Sequence, residues 1–178
     1  QAMGGLFGAN RLGSTSLTEL AVFGSRAGVA AAKNSLNNSF KVNKKLFESY
    51  INEYSSLFGQ KGSIASNILR DDIQKESWKK IGPVRTAKGI KEMEDKIKEI
   101  ETKLNDISIP NYFIWNQAFM DFVELKNMIC SAKLIGLAAK ERNGSIGGHV
   151  RLDAKNISIF SRPYSTVVHK NNNTYLVK

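Results

Sequence analysis

Cysteine occurs once in this chain, at Cys130, so no internal disulfide can brace it, which suits a reducing compartment. Set between Asn127-Met128-Ile129 and Ser131-Ala132, that thiol reads as a small buried core residue rather than a nucleophile. Histidine is nearly as scarce. His149 and His169 are too few for a histidine-based metal site, and no Cys/His cluster accompanies them. No apolar run approaches the roughly 20 residues of a membrane span, and no short apolar core of a signal peptide is present. No G-x-G-x-x-G follows a strand pattern, so this stretch carries no dinucleotide-binding βαβ unit. A serine–histidine–aspartate set and a phosphate P-loop are also missing.

What remains is a chain of 178 residues, 42% hydrophobic, long enough for one compact domain with a real core. Its net charge is +10, from 26 Lys and Arg against 16 Asp and Glu. A basic balance invites a helical interaction or nucleic-acid-binding reading, because lysine and arginine gain by displacing phosphate counterions. The basic residues are scattered, however. Glu92, Glu94 and Glu99 precede Lys96, Lys98 and Lys103 by four, the favourable helical order, which describes a solvated helix face and no phosphate track. Trp78, Trp115 and the phenylalanines at bundle positions are expected in the core and not on a base-stacking platform.

Apolar periodicity predicts a mainly α-helical chain. Residues 16 to 37 form one helix rich in alanine and glycine, and 39 to 58 a second, stopped by Gly59. A third runs from Ser63 to the break at Gly82-Pro83. Ile90, Met93, Ile97, Ile100 and Leu104 then follow the 3,4,3,4 spacing of a bundle helix, ended near Ile109-Pro110. The last helix, from Tyr112 to Arg142, places Phe119, Phe122, Leu125, Ile129, Ala132, Ile135 and Ala139 along one seam. The expectation is a three-helix bundle over 63–142 with two helices beside it. Beyond it, Ser165–Lys170 and Thr174–Lys178, separated by three asparagines, read as a β-hairpin.

The richest signal lies at the start. Glycines at 4, 5, 8 and 13 let the backbone turn tightly around Arg11, and Ser16-Leu17-Thr18-Glu19 reads as a capping box with Ser16 as N-cap. A glycine-rich loop thus feeds the positive end of a helix, where amides favour anions or electron-rich oxygens. The Arg11 guanidinium can grip a carboxylate through two parallel hydrogen bonds.

The run Gly5-Leu6-Phe7-Gly8-Ala9-Asn10-Arg11-Leu12-Gly13-Ser14-Thr15-Ser16-Leu17 and the following Val22-Phe23-Gly24-Ser25-Arg26-Ala27-Gly28 resemble the flavoprotein subunit of succinate dehydrogenase and fumarate reductase. There, a run close to G-L-H-G-A-N-R-L-G-S-N-S-L closes the flavin domain. Two later stretches also look like that family: Trp78-Lys79-Lys80-Ile81-Gly82-Pro83-Val84-Arg85-Thr86, and Glu141-Arg142-Asn143-Gly144-Ser145-Ile146-Gly147-Gly148-His149-Val150-Arg151-Leu152-Asp153, similar to E-R-K-E-S-R-G-A-H-x-R-x-D. The resemblance implies a tail of an FAD-binding domain over 1–37, a helical carboxy-terminal domain over 38–150, and a hairpin extension over 151–178.

It further implies that Arg11 and Ser14 bind a C4 dicarboxylate, that Ser16 and Leu17 bind FAD, and that no catalytic or metal-binding residue lies in this stretch. The partners implied are an amino-terminal FAD domain, the dicarboxylate and an iron–sulfur subunit, with no nucleic acid and with membrane contact only through partner subunits. The setting implied is cytoplasmic, at the inner face of a membrane. The stretch alone is expected to be catalytically silent. Phe7, Thr15 and Ile146 stand where that family carries histidine, asparagine and arginine, which keeps an L-aspartate oxidase-like flavoprotein open as an alternative.

Overall fold

The computed structural model describes residues 6–8, 13–39, 41–154, 164–171 and 174–177. Among these the elements are α1 (Thr15–Asn37), α2 (Lys44–Ser55), α3 (Ser66–Ile81), β1 (Val84–Arg85), α4 (Ala87–Lys103), a 3-10 turn (Leu104–Asp106), α5 (Gln117–Glu141), β2 (Val150–Arg151), β3 (Val168–Asn171) and β4 (Thr174–Val177). The architecture is mainly α-helical, as the periodicity predicts. The chain divides into two compact units, Gln1–Ile51 and Asn52–Lys178.

In the second unit α3, α4 and α5 form the three-helix bundle. On α4 the buried residues are Ile90, Met93, Ile97 and Ile100, the very heptad positions the sequence marks out. On α5 the seam is Phe122, Leu125, Ile129, Ala132, Gly136 and Ala139, an unbroken 3,4,3,4,3 spacing. Ile135 therefore falls one position off the seam and is exposed, against expectation. Leu69, Ile73 and Ile81 join the core from α3, and Ile107 and Ile109 from the segment after α4. Burying side chains of this size contributes about 1.5–3 kcal/mol each.

Both tryptophans depart from the core role expected of them. Trp78 is 74% exposed and Trp115 is 94% exposed. Trp78 lies off the α3 stripe set by Ser66, Leu69 and Ile73. Trp115 sits in a left-handed turn (φ 57°) ahead of α5, which starts at Gln117 and not at 112. Asn116 fixes that start: its side chain accepts from the Phe119 amide and donates to the carbonyls of Pro110 and Tyr112. Cys130 is also exposed, 3.7 Å from the Tyr175 hydroxyl, because it lies one residue past seam position Ile129.

Of the three Glu-to-Lys pairs expected along α4, Glu99 with Lys103 forms at 2.5 Å. Other α4 charges reach across the bundle instead: Lys96 to Asp72 on α3, Glu94 to Lys140 and Glu101 to Lys133 on α5. The expected hairpin is present as antiparallel β3 and β4, with Val168 opposite Val177 and Asn171 opposite Thr174.

One end of the bundle is closed by a backbone clamp. Ile64 donates to the Asp106 carbonyl, Ser108 donates back to Ile64, and Ile109 donates to Gln60. The Ser63 hydroxyl and amide both donate to the Asp106 carboxylate. Gly62 lies so close that a Cβ there would overlap the Asp106 carbonyl oxygen. Gly62→Ala is expected to destabilise the chain by at least about 1–3 kcal/mol, read as a lower denaturant midpoint at unchanged slope. An unchanged midpoint would show that the clamp can open without cost.

Candidate functional site

Two regions carry chemistry, and each belongs to one compact unit. The first is the amino end of α1. The helix begins at Thr15, so Ser16 is its second residue and not the expected N-cap. That place is taken by Ser14, in the left-handed region (φ 67°, ψ −16°) and with no side-chain capping bond. The left-handed turn brings the chain into the helix earlier than a Ser16–Glu19 capping box would. The first-turn amides are thus those of Thr15, Ser16 and Leu17, and no acidic residue lies in that turn to oppose a negative ligand. The Ser16 side chain is half-buried, while Leu17 is 73% exposed. Gly8, at φ 61°, adopts a backbone that favours glycine. Arg11 lies outside the described residues.

The second region joins the two later sequence stretches. β1 pairs in parallel with β2, Val84 opposite Val150 and Arg85 opposite Arg151. Around this pair a polar cluster is assembled. Arg151, 5% exposed, donates from Nε and Nη2 to the two oxygens of Asp153, and from Nη1 to the carbonyls of Ala139 and Arg142 at the end of α5. Asp153 accepts in turn from the Ala87 amide at the start of α4. The Arg151 side chain and that amide hold the Asp153 carboxyl well below the usual carboxylate range.

Arg85 Nη1 lies 2.6 Å from His149 Nδ1, and His149 Nε2 lies 3.1 Å from the Arg142 carbonyl. An arginine can only donate and a carbonyl can only accept. The ring is therefore neutral, with its proton on Nε2. Burial, followed by repulsion from the guanidinium groups of Arg85, Arg151 and Arg142, lowers the His149 pKa against the opposing effect of the Arg142 carbonyl bond. With both nitrogens engaged, His149 is a connector of this cluster. Its partners could not be named from the sequence, because Arg85 is 64 residues away.

Among the described residues, no group of three or more His, Cys, Asp or Glu side chains could hold a metal ion. No described helix is long and apolar enough to cross a membrane.

The pH response of the cluster follows from His149. Its folded pKa lies below the ordinary value of about 6.5, so the unfolded chain takes up a proton that the folded ring resists. Stability should fall as pH is lowered through that value. His149→Gln keeps an acceptor for Arg85 and a donor for the Arg142 carbonyl. It should flatten the fall in stability below about pH 6.5 in denaturant titrations; equal slopes in both chains would refute the assignment.

Comparison with known proteins adds a third line of observation. Residues 70–176 match the family described as "Fumarate reductase flavoprotein C-term". The chain is 32% identical over 153 residues to a subunit of the CoM/CoB fumarate reductase of Methanothermobacter marburgensis, covering 86% of this chain and 28% of that relative. It is 31% identical over 153 residues to an uncharacterized FAD-dependent oxidoreductase of Methanocaldococcus jannaschii, again covering 86% of this chain and 28% of the relative. Its fold superposes on an E. coli quinol fumarate reductase, FrdA, with a TM-score of 0.87 at 25% identity, covering 98% of this chain and 31% of that one. The chain thus spans little more than a quarter of the length of these relatives.

Proposed function

Because the chain belongs to the carboxy-terminal family of fumarate reductase flavoproteins, we propose that it is the last part of an FAD-dependent subunit that interconverts succinate and fumarate. The observation that carries this reading is the superposition of 98% of the chain on one continuous fumarate reductase fold, together with the family match over 70–176. In this reading, 1–37 ends the flavin domain, 38–150 is the helical domain and 151–178 is its hairpin extension.

Bound FAD would supply the two-electron carrier. Arg11 would hold one carboxylate of the dicarboxylate in its planar fork, a geometry that lysine cannot copy. Ser14 would offer the same substrate a backbone contact from its left-handed turn. The amides of Ser16 and Leu17 would face the electron-rich edge of the flavin, where a helix amino end stabilises negative charge. The first turn of α1 supports this fit, since it presents amides and no carboxylate. The partners proposed are the amino-terminal flavin domain and an iron–sulfur subunit. The place proposed is the inner face of a membrane, reached through those partners.

In the complete flavoprotein, succinate should bleach the oxidised flavin band and fumarate should restore it. Arg11→Ala should then cut dicarboxylate turnover by about two orders of magnitude or more, with flavin content unchanged. Near-normal turnover would remove the role given to Arg11. A flavin that responds to neither acid would remove the substrate.

A further inference from the structure

The guanidinium groups of Arg85, Arg142 and Arg151 all act electrostatically on His149. Among the described residues, the carboxylate bonded within the cluster is that of Asp153, whose oxygens are taken by Arg151 and the Ala87 amide. Arg85 has neutral partners throughout: its Nε donates to the carbonyls of Ile81 and Gly82, and its Nη1 to His149. Among the described residues its Nη2 has no acceptor and its charge no carboxylate. Arg142 is likewise held by neutral groups, donating to the Tyr164 carbonyl and the Thr166 hydroxyl and stacking 4.4 Å from the Tyr164 ring centroid. Arg85 is half-buried, and burial together with repulsion from Arg151 opposes its charged form.

An arginine kept charged in such a place gains more from an oxyanion than one on an open surface, because the attraction is less screened. Its bonds to two carbonyls and to the ring also hold the fork rigid, so little side-chain freedom is left to lose on binding. The exposed lysines of α4 differ on both counts: Lys88 and Lys98 are solvated and already lie near carboxylates. We propose that Arg85, oriented by its bonds to the Ile81 and Gly82 carbonyls and the His149 ring, is the receiving group of an oxyanion site on the β1–β2 pair, with a carboxylate as the fitting ligand. The site lies within the bundle unit, Asn52–Lys178.

Inorganic sulfate is the probe. The chain is titrated with millimolar sodium sulfate at ionic strength held constant with chloride, following the melting temperature and the arginine Nε–H resonances. A saturable rise of about 2–4 °C, with a shift of the Arg85 resonance, is expected. Both should vanish in Arg85→Gln and persist in Lys88→Gln. No sulfate response beyond that to chloride, or a response that Arg85→Gln retains, overturns the site. The resonance is read in the unsubstituted chain, so a poorly folding variant leaves the site testable. The longer flavoprotein distinguishes the source of the ligand. A response that persists there assigns a free anion, and one present only in the 178-residue chain assigns a carboxylate of the polypeptide itself.

Discussion

The bundle depends on the way one buried guanidinium joins the ends of two helices. α5 finishes with carbonyls that have no intrahelical donor, and α4 begins with amides that have no intrahelical acceptor. Arg151 meets the first need through Nη1, on the carbonyls of Ala139 and Arg142. It meets the second through Asp153, which it grips with Nε and Nη2 and which accepts from Ala87. Positive charge thus lies at the carboxy end of α5 and negative charge at the amino end of α4, the favourable sense for both helix dipoles. A buried charge is tolerated only when its donors are used and its charge is matched, and both conditions hold for Arg151. Removing Asp153 would leave the buried Arg151 guanidinium without its countercharge.

That arrangement explains why strands of two residues persist at all. A two-residue parallel pair has too few ladder bonds to stand alone. Here β1 leaves α3 at the Gly82-Pro83 break and β2 delivers Arg151, so each strand is held at its ends by side chains that already have structural work. Val150 donates to the Pro83 carbonyl and Leu152 to that of Arg85, which extends the pairing at both sides. At the opposite end of the unit the Gln60–Ile64 and Asp106–Ile109 segments perform the matching closure through backbone bonds, with the Gln60 side chain donating to carbonyls of Leu104, Asn105 and Ile107. The three helices are therefore pinned at both ends, and their apolar seam fills the space between.

The seam was legible from the sequence because it is a local property. Ile90, Met93, Ile97 and Ile100 repeat with the helix, and no distant residue is needed to place them. The same rule fails where bulk is mistaken for phase. Ile135 is as apolar as its neighbours, yet Gly136 occupies the seam, because the spacing from Ala132 to Ala139 runs through 136. Trp78 and Trp115 mislead for the same reason: hydrophobic content identifies candidates for burial, and only helix phase and turn geometry decide among them. The Arg85–His149 contact was illegible for a different reason. It spans 64 residues and depends on a strand pair too short to leave a period in the sequence. The helix start at Thr15 shows a third limit, since Ser14 and Ser16 both suit an N-cap and the backbone turn at Ser14 decides between them.

The two units differ in how far they can support their own chemistry. The bundle unit has a continuous apolar core and closed ends, so its polar cluster is fixed by its own packing. α1 has no such support among the described residues: none of residues 15–36 is buried, and Leu17 and Leu36 are 73% and 85% exposed. Most helical stability in proteins comes from packing an apolar face and not from propensity. A helix with several large apolar residues in solvent therefore gains most from a surface that covers them. On the proposed function, the rest of the flavoprotein supplies that surface, and the relatives are more than three times as long as this chain. In the same proposal, Ser16 and Leu17, which would meet FAD, lie on an element with no buried residue from 15 to 36. Their order would then be set by the same surface that carries the flavin, coupling site assembly to the docking of the flavin domain.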